Sequence, residues 1–219
     1  MRAIILNGHG GVDALGYVEN FPDPECGKDD VVVRVKSTSL NYHDIFTRNG
    51  MPGIKISMPM ICGLDVAGEI AEIGANVSGW KIGERVLIDP RNRVEGGLVG
   101  ETIHGGLAEY CRVKEHQLVR IPDGVSFDQA SSLPVAYGTA HRMMMTIGQV
   151  TSDDKILILG ASGGVGTGAL LLAKMAGAEV VVCASSDSKM EKLKSLGADH
   201  AMSYMNNEFH KGVYELYGK

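Results

Sequence analysis

Lys155-Ile156-Leu157-Ile158-Leu159-Gly160-Ala161-Ser162-Gly163-Gly164-Val165-Gly166 decides the fold of this chain. The apolar run 156–159 is too short for a buried helix and is rich in branched side chains. It therefore predicts a strand buried on both faces. A glycine cluster follows at once, and residues 167–176, rich in Ala and Leu, predict a helix. Strand, glycine turn and helix in that order make a phosphate cradle of the dinucleotide-binding type. Gly160, Gly163, Gly164 and Gly166, with Ser162 and Val165 between them, let the backbone approach a pyrophosphate. The helix N-terminus adds free N–H groups and the positive end of its dipole.

Downstream, Glu179-Val180-Val181-Val182-Cys183-Ala184 predicts a second buried strand. Residues 188–196 follow as a helix with Met190, Leu193 and Leu196 on one face, stopped by Gly197 in a left-handed conformation. Residues 200–204 read as a third strand, and Phe209, Val213 and Leu216 mark a last amphipathic helix ending at Gly218. Strands alternating with helices imply a parallel sheet with right-handed crossovers.

Upstream, the chain reads as β-rich, with strands expected at 3–6, 30–35, 66–73, 85–88 and 108–113 and a short helix at 41–48. Ile121-Pro122-Asp123-Gly124 is a turn, Ser126 and Gln129 form a capping box, and 134–147 reads as a helix leading into the cradle. The expected domains are 1–124, β-rich, and 125–219, an α/β nucleotide-binding unit. A formal net charge of -5 and the lack of basic runs speak against nucleic acid or an anionic membrane surface. No apolar run approaches the roughly 20 residues that span a bilayer. The four isolated cysteines show neither metal-knuckle spacing nor a disulfide framework, so a cytoplasmic location is the expectation.

Taken together, several stretches resemble the medium-chain dehydrogenase/reductase superfamily. They are Leu40-Asn41-Tyr42-His43-Asp44, Gly63-Leu64-Asp65-Val66-Ala67-Gly68, Lys81-Ile82-Gly83-Glu84-Arg85-Val86, Gly105-Gly106-Leu107-Ala108-Glu109-Tyr110, Leu133-Pro134-Val135-Ala136-Tyr137-Gly138-Thr139-Ala140 and the cradle itself. The resemblance implies a GroES-like N-terminal domain followed by a Rossmann doubly wound sheet. Zinc members of that superfamily hold a catalytic metal, and the matching ligand positions here carry Asn41 and Leu64, with Asp65 as the acidic neighbour. Leu cannot ligate zinc and a neutral amide substitutes poorly for thiolate. The stretch 89–105, where relatives carry a structural-zinc lobe, has no cysteine. No metal site is expected, and the resemblance narrows to the zinc-independent quinone oxidoreductase and enoyl reductase branches.

An NAD site usually places an acidic residue at the end of the second strand. Here Ser185 and Ser186 stand there with Lys189 following, a set that suits a 2′-phosphate and so NADP(H). Ser185 and Ser186 are equally readable as helix N-caps, Lys189 as a solvated charge, and Asp187 as a ribose ligand for NAD. Thr139 resembles a residue that contacts the nicotinamide end. The resemblance puts Asn41, Tyr42 and His43 where substrate meets nicotinamide. Tyr42 is the first choice of proton donor and His43 the second, while Asn41 orients cofactor or substrate. The alternative for Tyr42 is a half-buried core aromatic.

The expected activity is NADPH-dependent hydride transfer to an activated C=C bond or a quinone. A zinc-free carbonyl or alcohol dehydrogenase and a non-catalytic nucleotide-binding or interaction module are the alternatives. Relatives are longer, and the chain stops after the third strand of the sheet and its following helix. That is expected to leave strand 156–159 at an open edge where a second copy could pair. A 219-residue chain alone is expected to bind cofactor weakly and to turn over slowly or not at all.

Overall fold

The computed structural model describes residues 1–205 and 208–218. Lys219, the end of the expected second domain, lies outside them. The chain divides into compact units Met1–Val135 and Ala136–Lys219.

In chain order the first unit holds β1 (Ala3–Leu6), β2 (Leu15–Val18), β3 (Asp30–Ser39), α1 (Tyr42–Asn49) and β4 (Met60–Ile61). β5 (Asp65–Ile73), β6 (Arg85–Ile88), β7 (Tyr110–Lys114), β8 (Leu118–Arg120) and α2 (Phe127–Ser131) follow. β2, β1 and β4 form a small antiparallel sheet. The larger sheet has the order β7-β3-β5-β6-β8, antiparallel throughout. Val31, Val33, Val66, Ile70, Val86 and Ile88 pack together from three of its strands, with Val99 and Cys111. Burial does not alternate along the central strands: Val31, Val32 and Val33 of β3 and residues 65–68 of β5 are all buried, so both faces of the sheet are covered there. Ala67, Ile121 and Ala130 form a second cluster under α2. α2 therefore belongs to this unit, and the division falls later than the expected 124/125. Ser126 caps α2 by accepting from the Gln129 N–H at 3.1 Å, the capping box expected there.

β3 runs four residues beyond the expected strand. Its polar end, Lys36 to Ser39, hides the strand in the sequence but pairs with the start of β5, Thr38 opposite Val66 and Ser39 opposite Asp65. β2, β4 and β8, of four, two and three residues, were not expected from the sequence.

The second unit contains α3 (Ala136–His141), β9 (Lys155–Ile158), α4 (Gly164–Met175), β10 (Glu179–Ala184), α5 (Asp187–Ser195), β11 (His200–Ser203) and α6 (Phe209–Tyr217). Its sheet is parallel with order β11-β10-β9. β10 is central, and Val180, Val181, Val182, Cys183 and Ala184 are all buried. β9 is the edge expected for it, but it is buried on one face only. Ile158 is buried, while Leu157 is 41% and Leu159 57% exposed. The expected helix over 134–147 is α3 followed by a wider π turn at Arg142–Ile147. Gly197 ends α5 at φ 106, the left-handed stop read from the sequence.

Candidate functional site

In the first unit the register of β3 against β5 brings the strand ends together over Asp65. This carboxylate is fully buried. It accepts from Ser39 Oγ at 2.6 Å, Asn41 Nδ2 at 2.8 Å and the Val135 N–H at 2.9 Å. Asn41 immediately precedes α1. Its own N–H donates to Asp44 Oδ2 at 2.8 Å, and Asp44 Oδ1 accepts the Gly63 N–H at 2.9 Å. Asp44 thus anchors local backbone. Burial raises its pKa above the ordinary carboxylate value, against the pull of those two N–H bonds.

Tyr42 is 76% exposed, its hydroxyl has no hydrogen-bond partner among the described residues, and its ring tilts against Phe46 at 5.9 Å. It is therefore not a half-buried core aromatic. Beside it lies a cavity of about 240 Å³ walled by Leu15, Leu40, Ile45 and Leu107, with Asn41 and Tyr42 on its lining. Cys62 also lines it, and burial together with the nearby Asp44 charge pushes its thiol up to about 11. His43 is half-buried and its Nε2 lies 2.6 Å from Glu101 Oε2.

In the second unit the glycines of the cradle divide by role. Gly160 has φ +63, which favours glycine. A Cβ on Gly166 would sit 2.7 Å from both Ala161 Cα and the Gly160 carbonyl oxygen, so this glycine sets how closely α4 packs on the turn. Gly164 and Gly168 bring α4 against α3, where added Cβ atoms would meet Ala136 and Ala140 at 3.1 Å. Gly163 precedes α4 at φ -80, and its Cβ would meet only the Gly160 oxygen, at 3.5 Å. The space before the helix N-terminus is thus open, and no side chain caps it. Ser162 is exposed and Val165 half-buried. Thr139 is exposed on α3. At the end of β10, Lys189 Nζ donates to Ser185 Oγ at 3.1 Å. Ser186 precedes α5 without making a side-chain cap, its hydroxyl lying 3.3 Å from Ser188 Oγ. These observations fit a dinucleotide: an open, uncapped helix start for the pyrophosphate, and hydroxyls with a cation at the neighbouring strand end.

Zinc fits poorly. The Asn41 amide is committed to Asp65, Leu64 is apolar and buried, and among the described residues no three His, Cys, Asp or Glu side chains gather as ligands. Glu101 and Ser39 were missed in the sequence because neither lies in a periodic segment or a spaced motif. Only the β3–β5 register and the packing of the loop before β7 reveal them.

The alcohol dehydrogenase GroES-like domain matches residues 27–123, and the zinc-binding dehydrogenase family matches residues 164–219. The chain is 36% identical over 211 residues to a 2-methylene-furan-3-one reductase of Solanum lycopersicum, covering 95% of this chain and 53% of that protein. It is 35% identical over 206 residues to a chloroplastic NADPH-dependent alkenal/one oxidoreductase of Arabidopsis thaliana, covering 93% and 52%. Among solved structures, an NAD-dependent alcohol dehydrogenase superposes with TM-score 0.93 at 32% identity, covering 100% of this chain and 68% of that one. The chain spans about half the length of the curated relatives it matches. Among the described residues no helix is long and apolar enough to cross a membrane.

Proposed function

This chain belongs to the medium-chain dehydrogenase/reductase superfamily, and from that premise we propose that it serves as an NADPH-dependent, zinc-independent reductase of activated C=C bonds or quinones. The observation that carries the reading is the pairing of Asn41 with Asp65 beside buried Leu64, which leaves substrate activation to hydrogen-bond donors rather than a metal. The similarity to reductases named for alkenals and a methylene-furanone supports the substrate class. An NADPH assay of the full-length protein offering an enone against a simple ketone is expected to show turnover of the enone. Preference for the ketone would favour a zinc-free carbonyl or alcohol dehydrogenase. Saturable NADPH binding without turnover of either would favour a non-catalytic nucleotide-binding module.

Bound on the cradle, the reduced nicotinamide supplies a hydride. Gly160, Ser162, Gly163, Gly164, Val165 and Gly166 would hold the pyrophosphate through backbone N–H groups and the α4 dipole. Ser185, Ser186 and Lys189 would hold the 2′-phosphate, and Thr139 the nicotinamide end. Asn41 would orient the substrate carbonyl. Tyr42 and His43 are the donor candidates. Lys189→Ala is expected to weaken NADPH binding about tenfold, or about 1.4 kcal/mol, and to leave NADH binding unchanged. Equal loss for both cofactors, read by fluorescence titration, would remove Lys189 from the phosphate site.

The free state of Cys26, Cys62, Cys111 and Cys183 supports a reducing, cytoplasmic setting. A small molecule is the substrate partner, and the reading includes association between copies.

A further inference from the structure

We propose that Glu101 is a positioning residue that holds the His43 imidazole as the proton donor, in preference to Tyr42; this rests on the reductase reading above. The two candidates differ in how they are held. Tyr42 is 76% exposed, and among the described residues no polar group bonds its hydroxyl. His43 is fixed through Nε2 at 2.6 Å by a carboxylate whose side chain is only 10% exposed.

The loop bearing Glu101 is built without that carboxylate. The N–H groups of Glu101, Thr102 and Ile103 all donate to the Leu98 carbonyl, at 3.0 to 3.1 Å. Gly100 has φ +78 and packs so tightly on Gly63 that a Cβ there would lie 2.9 Å from the Gly63 backbone. Gly105 presses on the same segment, 2.4 Å from the Gly63 oxygen by the same measure. Gly63 in turn donates to Asp44, one residue after His43. Backbone packing therefore delivers Glu101 to α1, and the Glu101 side chain is free to serve His43.

A carboxylate oxygen only accepts, so the proton on this contact belongs to Nε2, and Nδ1 is the free nitrogen. Nδ1 carries a proton in the charged ring and a lone pair in the neutral one. Once the β-carbon of an enone has taken a hydride from the reduced nicotinamide, the π pair of the C=C bond moves onto the α-carbon and its carbonyl. The α-carbon then takes the Nδ1 proton, and the N–H pair stays on the nitrogen. The ring becomes the neutral tautomer that Glu101 already selects, without rotating, and water returns the proton. The alkene gains the two electrons that the nicotinamide loses.

The test compares wild-type, Glu101→Gln and Glu101→Asp full-length protein with NADPH and an enone. Glu101→Gln is expected to lower kcat about tenfold or more with KM moved less than about threefold, and Glu101→Asp to recover part of the loss. For the uncharged ring, histidine ¹⁵N NMR of the same proteins is expected to show the single proton on Nε2 of His43 in the wild type and both tautomers in Glu101→Gln. Unchanged kcat in Glu101→Gln overturns the proposal, as does a mixed tautomer in the wild type. If wild-type protein oxidises no NADPH with any enone, the reductase reading falls and takes the donor role with it. The ring nitrogens then still report whether Glu101 holds His43.

Discussion

Replacing Asp65 by alanine is expected to cost about 2–4 kcal/mol, because it removes the buried acceptor of three partly buried donors. The Asp65 carboxylate is 0% exposed and accepts from Ser39, Asn41 and the Val135 N–H. Each stranded donor costs about 1–3 kcal/mol, and three in one network add less than their sum. The loss also frees the Asn41 amide, so the candidate substrate site loosens together with the fold. Asp65→Asn keeps the shape but turns one oxygen into a donor facing donors, and about half the effect is expected. Urea unfolding followed by tryptophan emission from Trp80, the chain's only tryptophan, reads this unit directly. A loss below about 1 kcal/mol for Asp65→Ala would mean that the network contributes little.

The cradle glycines give the second large effect, and they are expected to separate fold from ligand. In Gly166→Ala the new Cβ meets backbone at 2.7 Å, so α4 must move off the turn. Overpacking of this kind costs about 1–3 kcal/mol and displaces the very N–H groups that would hold a pyrophosphate. Gly163→Val is different: its backbone at φ -80 suits any residue and its Cβ has an ordinary 3.5 Å contact. The second variant is expected to melt within about 0.5 kcal/mol of wild type. Its side chain fills the open space before α4, and cofactor affinity should fall at least about tenfold, since the pyrophosphate needs that approach. Thermal melts and NADPH titrations of both variants check the pair. Unchanged cofactor binding in Gly163→Val would place the phosphates elsewhere.

Much of this was legible from residues alone. The strand–glycine–helix order fixed the parallel unit, because a glycine turn between an apolar run and an Ala/Leu-rich segment has few other foldings. The capping box at Ser126 and the stop at Gly197 were readable since local chemistry decides them. The burial of strand 155–158 was misread although its edge position was expected: its composition matches a strand covered on both faces, but what covers each face is not written in the strand itself. The candidate substrate site was half legible. Asn41, Tyr42 and His43 were named through the family resemblance, whereas Asp65 as the anchor of Asn41 and Glu101 as the partner of His43 depend on long-range pairing. Asn41 and Asp65 lie 24 residues apart, and His43 and Glu101 lie 58 apart. No pattern of period two or 3.6 connects such positions.

The central claim is that reduced cofactor binds on the Gly160–Gly166 turn with its 2′-phosphate at Ser185 and Lys189, and that substrate is activated without a metal. The most direct check is a fluorescence titration of metal-analysed full-length protein with NADPH and, separately, NADH. The expected result is saturable binding of NADPH, at least about tenfold tighter than NADH, in protein without stoichiometric zinc. Failure of NADPH to bind, tighter binding of NADH, or one zinc per chain would contradict it.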